Sequence, residues 1–188
     1  MGPQFTAALQ LASELHAAQF RKGTRTPYIA HLLAVAALVI EAGGDEEAAI
    51  AALLHDAVED QGGQPTLDLI RDRFGPRVAS IVAGCTDADT VPKPPWRARK
   101  EAYIAQIPHK SADELLVSVA DKVHNARAIL ADYKVIGEPL WGRFTGGREG
   151  TLWYYRALAD AFRGRAPKAL SSALDQAVAE MELAAGAG

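Results

Sequence analysis

A chain of 188 residues is sized for one domain around one substantial core. Its 49% apolar and 23% charged residues, with a net charge of −3, exclude the broad basic footprint that a nucleic-acid polymer needs; a small phosphate ligand, which needs only a few local cations, is still allowed. The single cysteine, Cys85, excludes an internal disulfide and fits a reducing cytoplasm.

The first twenty residues lack a basic stretch followed by a purely apolar run, so no secretory signal is expected. The apolar run 48–54 is too short to span a bilayer, and no membrane partner is expected. Phe5, Ala8, Leu11, Ala12 and Leu15 form a stripe at helical spacing and predict a first helix. Gly, Thr and Pro in 22–27 break it. A second helix is predicted over 29–42, stopped at Gly43-Gly44. Asp45 is a suitable cap for a third, over 46–60, closed by Gly62-Gly63. Thr66 is expected to cap a short helix ending at Phe74-Gly75, and Pro76 suits the first turn of the next.

The prolines of 87–95 forbid regular helix there. Helices are predicted again over 96–107 and, opened by Ser111, through Tyr133. The stretch 137–150 reads as a glycine-rich mobile loop, and two last helices are expected over 153–162 and 169–183 with a frayed tail. No strand series or interdomain linker stands out. The prediction is an all-α, compact helical bundle, a single domain over 1–188 with its core over about 5–165 and a C-terminal helix over about 167–184.

The chemistry concentrates in LLHDAVED, residues 53–60. On a helix, positions four apart share a face, which places His55 over Glu59 and Asp56 over Asp60. The turn before them is wholly apolar, and burying carboxylates without partners is costly. A divalent cation would answer that cost. His31 and Asp121 also interrupt apolar helices and could complete the site. Mixed imidazole and carboxylate ligands suit Mn²⁺, Fe²⁺ or Zn²⁺ better than Mg²⁺. Singly, each residue has a plainer reading: His31 as a hydrogen-bonded core histidine, Asp121 as an ion pair with Lys122. Their order is what argues for a site.

That order, His31, then His55-Asp56, then Asp121, resembles the H…HD…D signature of the HD phosphohydrolase superfamily. RKGTRTPYIAH (21–31), ALLHDAVED (52–60), FGPRVASIVAGCTD (74–87) and VADKVHNAR (119–127) are similar to the hydrolase domain of the RelA/SpoT proteins and to the stand-alone small alarmone hydrolases. The resemblance extends over about residues 5–165. It implies a Mn²⁺-dependent removal of the 3′-pyrophosphate of (p)ppGpp, yielding GDP or GTP and pyrophosphate. It implies His31, His55, Asp56 and Asp121 as metal ligands. Glu59 and Asp60 would orient or deprotonate the attacking water and handle leaving-group protons. Arg21 and Lys22 would line the substrate pocket, and Asn125 would contact the nucleotide sugar or phosphate. With no synthetase region inside the chain, alarmone synthesis is not expected.

Other pocket candidates rest on the residues alone. Lys93, Arg97 and Lys100 flank the proline loop and could close over phosphates, or form an exposed basic helix face. Tyr28 and Tyr154 are candidate stacking walls for a base. Cys85, Lys122 and Arg127 read as structural, and His16, His109 and His124 as surface or packing residues. Two other functions compete: another HD nucleotide phosphohydrolase, acting on ppApp, NADPH or a nucleoside monophosphate, and a non-catalytic metal-binding sensing module.

Overall fold

The computed structural model describes residues 1–86 and 94–186. Its elements are α1 (Pro3–Leu15), α2 (Ile29–Glu41), α3 (Glu46–Leu54), α4 (Ala57–Asp60), α5 (Gln64–Phe74), α6 (Pro76–Cys85), α7 (Trp96–Gln106), α8 (Ala112–Ile136), α9 (Gly147–Phe162) and α10 (Lys168–Gly186). Short 3₁₀ turns follow α7 (Ile107–His109) and α8 (Glu138–Arg143). Among the described residues the extended pairing is a single bridge between Phe20 and Pro27. The all-α prediction holds.

Helix α3 is the centre. Every residue from Ala48 to Leu54 is buried, because the helix is apolar on all faces and packs against α1, α2, α6 and α8. Helix α8, about 37 Å long at ~1.5 Å per residue, is the second axis, with α2, α6 and α10 along it. It starts at a reciprocal cap: the Glu114 N–H donates to Ser111 Oγ, and the Ser111 N–H donates to Glu114 Oε2. One apolar cluster runs from Ala8 to Ala185.

Several local expectations are corrected. The helix predicted over 46–60 is broken at His55-Asp56, where Asp56 has ψ −4°. His55 Nδ1 lies 2.7 Å from the Ala52 carbonyl oxygen, an acceptor that a continuing helix would reserve for the Asp56 N–H. Thr66 does not cap α5, which begins two residues earlier, after Gly63. Its hydroxyl instead donates back to the Gln61 carbonyl at 2.9 Å. The expected loop over 137–150 is largely ordered structure, because Leu140 and Trp141 are buried and outweigh the glycines' freedom. Gly146 serves close packing: a Cβ there would lie 2.6 Å from the Trp96 ring. Helix α10 continues to Gly186, past the predicted end at 183, with Ala185 buried and its carbonyl accepting from Arg148.

Candidate metal centre and adjoining pocket

His31 comes from α2, His55 and Asp56 from the break between α3 and α4, and Asp121 from the middle of α8. His31 Nε2 lies 3.2 Å from Asp121 Oδ1 and 3.5 Å from Asp56 Oδ2. His55 Nε2 lies 3.1 Å from Asp56 Oδ2 and 3.6 Å from Asp121 Oδ1. Both Nε2 atoms are buried without a hydrogen-bond partner. The donor atoms of His31, His55 and Asp56 lie within 4.8 Å of one another, and Asp121 Oδ1 lies beside both imidazoles. A divalent transition metal fits this donor set, and the orphaned nitrogens are what it would satisfy.

The groups behind these four side chains fix their aim. The Tyr28 hydroxyl donates to Asp56 Oδ2 at 2.6 Å, and Lys122 Nζ donates to Asp121 Oδ2 at 2.6 Å. Asn125 donates to Asp121 Oδ1 and accepts from Arg21 at 2.6 Å. Burial alone would raise both carboxyls. The nearby His55 and His31 rings hold Asp56 well below the usual carboxylate range, and Lys122 with the same rings does so for Asp121.

The two acids of the sequence motif part company. Asp60 accepts from Gln19 Nε2 at 2.8 Å, and burial, with Asp56 and Glu59 nearby, pushes its carboxyl up. Gln19 is itself held by Gln61 at 2.7 Å and by the His16 ring at 2.6 Å, and that ring stacks on Tyr28. Glu59 instead lines a cavity of about 290 Å³ with Lys22, Trp96, Arg99, Lys100 and Tyr154. A larger cavity of about 540 Å³ is lined by Arg21, Lys22, His31, His124, Asn125 and Arg143, among others. Lys22, Ile129, Phe144 and Tyr155 border both cavities, which therefore adjoin.

The remaining predicted residues divide. Tyr28 borders the larger cavity, with its ring against His16 and its hydroxyl on a ligand. Lys100 lies over the Tyr154 ring at 4.9 Å. Arg97 is turned away: its guanidinium sits 3.2 Å from the Trp153 ring centre, its Nε donates to Glu101 at 2.7 Å, and it borders neither cavity. Lys93 lies outside the described residues. Cys85 packs against Ser118, and burial pushes its thiol up.

Sequence reasoning missed Gln19, Arg99, Arg143 and Tyr155. It also set His124 aside as a surface or packing residue, and the structure corrects that. The His124 and His31 Nδ1 atoms lie 2.7 Å apart, and the His124 ring borders the larger cavity. Burial, then His31 and Arg21, push His124 down to about 4. The available signal was spacing: His124 stands three residues after Asp121, one helical turn away on the same side.

Known proteins with similar sequence and shape place this geometry in context. The chain is 42% identical over 123 residues to guanosine-3′,5′-bis(diphosphate) 3′-pyrophosphohydrolase MESH1 of Xenopus tropicalis, covering 64% of this chain and 66% of that one. With the human protein of the same name, identity is 39% over 127 residues, covering 66% and 68%. These alignments span about two thirds of each relative. A solved structure described as a metazoan ortholog of SpoT that hydrolyses ppGpp superposes with a TM-score of 0.81 at 29% identity, over 97% of this chain and 98% of that one. The profile of the HD domain family matches residues 8–138. That stretch contains α2, α3, α4 and α8, the helices that carry or flank His31, His55, Asp56 and Asp121, and the chain belongs to the HD domain family.

Proposed function

We propose that this chain is a Mn²⁺-dependent hydrolase that removes the 3′-pyrophosphate of (p)ppGpp, giving GDP or GTP and pyrophosphate. The observation that carries the reading is the pair of buried, unpartnered Nε2 atoms facing two ionised carboxylates beside a cation-lined cavity. The substrate is suggested by the names of the MESH1 relatives.

His31, His55, Asp56 and Asp121 would hold the metal. When bound, the metal supplies Lewis-acid polarisation of the phosphate and lowers the pKa of a water. The chain's own residues do the rest. Arg21 and Lys22 bind phosphate oxygens at the cavity they share, and Asn125 ties Arg21 to Asp121, so phosphate binding and the ligand set are held in register. Lys100, which lines the smaller cavity, is a cation for the outer phosphates. Glu59 orients the attacking water and takes its proton. Asp60, whose carboxyl is pushed up by burial, donates a proton to the departing 3′ oxygen. Tyr154 offers a stacking face on the smaller cavity.

The reading extends to one domain over 1–188 in a reducing, cytoplasmic setting, supported by one apolar cluster and a lone cysteine. No helix among the described residues is long and apolar enough to cross a membrane. The test is turnover of ppGpp by metal-stripped protein with and without Mn²⁺, with products resolved. GDP and pyrophosphate formed only with metal is the expected result. Mn²⁺ binding without turnover would overturn the alarmone substrate, and NADPH, ppApp and nucleoside monophosphates would then be assayed.

A further inference from the structure

We propose that His124 is a positioning residue with two hands: its Nδ1 holds His31 in the tautomer that aims Nε2 at the metal, and its Nε2–H donates to the nucleotide in the larger cavity. The inference rests on the proposed hydrolase reading for its second half only.

The argument starts from His31. Its Nε2 faces Asp56 and Asp121 without a hydrogen-bond partner, and its Nδ1 meets His124 Nδ1 at 2.7 Å. Two nitrogens at that distance need one proton between them. If His124 donated, His31 would carry its own proton on Nε2, where it would block the ligand position. If His31 donates, its Nε2 lone pair is free for the metal. An imidazole ligand is commonly fixed in this way through its other nitrogen. His55 uses the Ala52 carbonyl for the same purpose, at 2.7 Å. A carbonyl can only accept, so that bond leaves His55 no choice. His31 has a partner that could face either way, so the His124 tautomer matters.

With Nδ1 accepting, the proton of His124 sits on Nε2. The ring borders the larger cavity next to Arg21 and Asn125, so this N–H joins a set of donors around an oxygen-rich ligand: a ribose hydroxyl or phosphate oxygen of a nucleotide. One ring thus links the ligand set to the substrate.

Two substitutions separate the two hands. His124→Phe removes both. His124→Asn places a carbonyl oxygen near the Nδ1 position and has nothing at Nε2. Titration of metal-stripped protein with Mn²⁺ by calorimetry should show affinity roughly 10- to 100-fold weaker for His124→Phe and near wild type for His124→Asn. At saturating Mn²⁺, KM for ppGpp should rise roughly 5- to 10-fold in both, as for one lost hydrogen bond, with kcat in His124→Asn little changed. Unaltered Mn²⁺ affinity in His124→Phe, or equal weakening in His124→Asn, overturns the tautomer assignment. A wild-type KM in His124→Asn overturns the donor assignment. Thermal unfolding guards against a folding defect, with His124→Ala as the second deletion. Failure of the wild type to turn over ppGpp while binding Mn²⁺ would sink the alarmone reading and leave the metal arm standing.

Discussion

The floor of this candidate site, which carries His31, His55, Asp56 and Asp121, and its cationic rim are built from opposite materials. The floor hangs on α3, whose residues from Ala48 to Leu54 are at most 2% exposed, and on the buried middle of α8. The rim is cationic and largely solvated: Lys22 is exposed, and Arg21, Arg99 and Lys100 are half-buried. In the floor the charges are buried or half-buried, so each depends on a specific partner, and removing one strands another. At the rim, water and salt screen each cation, so each contributes modestly and substitutes partly for its neighbours. The same contrast separates Lys122, half-buried against Asp121, from Arg77, which joins three carboxylates (Asp45, Glu47 and Asp113) at the surface.

The largest effect should come from breaking the floor. Asp56→Ala or His55→Ala is expected to lose bound metal and all turnover above background, read by metal content and product formation together. Turnover by a metal-free variant would refute the ligand assignment. Next comes Glu59→Gln, at the junction of floor and rim. It should keep the metal and lose roughly 10²–10⁴ in kcat, the usual worth of acid–base assistance. Metal loss would make Glu59 a ligand. At the rim, Arg21→Ala should raise KM by roughly 10- to 100-fold, as for a charge-assisted hydrogen bond, with a smaller drop in kcat. A pure kcat effect would move Arg21 into the chemistry and blur the distinction between the two regions.

The smallest effect lies far from the site. Asp45 caps α3 by accepting from the Ala48 N–H at 2.9 Å, and that bond, then Arg77, lowers its carboxyl. Asp45→Ala should cost about 1 kcal/mol of stability at pH 7. Because the folded pKa is depressed, the contribution is complete above the unfolded value and fades as pH falls from about 4 through the lowered one. Denaturant unfolding of both proteins should therefore differ at pH 7, with the gap narrowing as the pH falls through the lowered Asp45 value. A constant gap would mean that the cap does not depend on the charge.

The site was legible to the extent that it is local. His55-Asp56 after a seven-residue apolar run, and lone polar residues at His31 and Asp121 in apolar helices, are departures from pattern that a linear reading can see. The order of those departures carried the family resemblance. What escaped were features set by the approach of distant segments. The His31–His124 contact joins residues 93 apart, and Gln19 reaches Asp60 across 41. Arg97 is drawn to Trp153 on another helix, although its sequence neighbourhood suggested the phosphates.

The amino-acid sequence by itself determined the helical class, most helix starts and the identity of the metal-capable side chains, because caps, periodicity and burial patterns act within a few residues of the chain. Only the tertiary structure decided that the third helix stops at His55-Asp56 and that the glycine-rich stretch is ordered over buried Leu140 and Trp141. It also decided which histidine stands behind His31. Those outcomes depend on which distant side chain claims a carbonyl, a cavity or a ring nitrogen, and that competition is settled only when the helices pack.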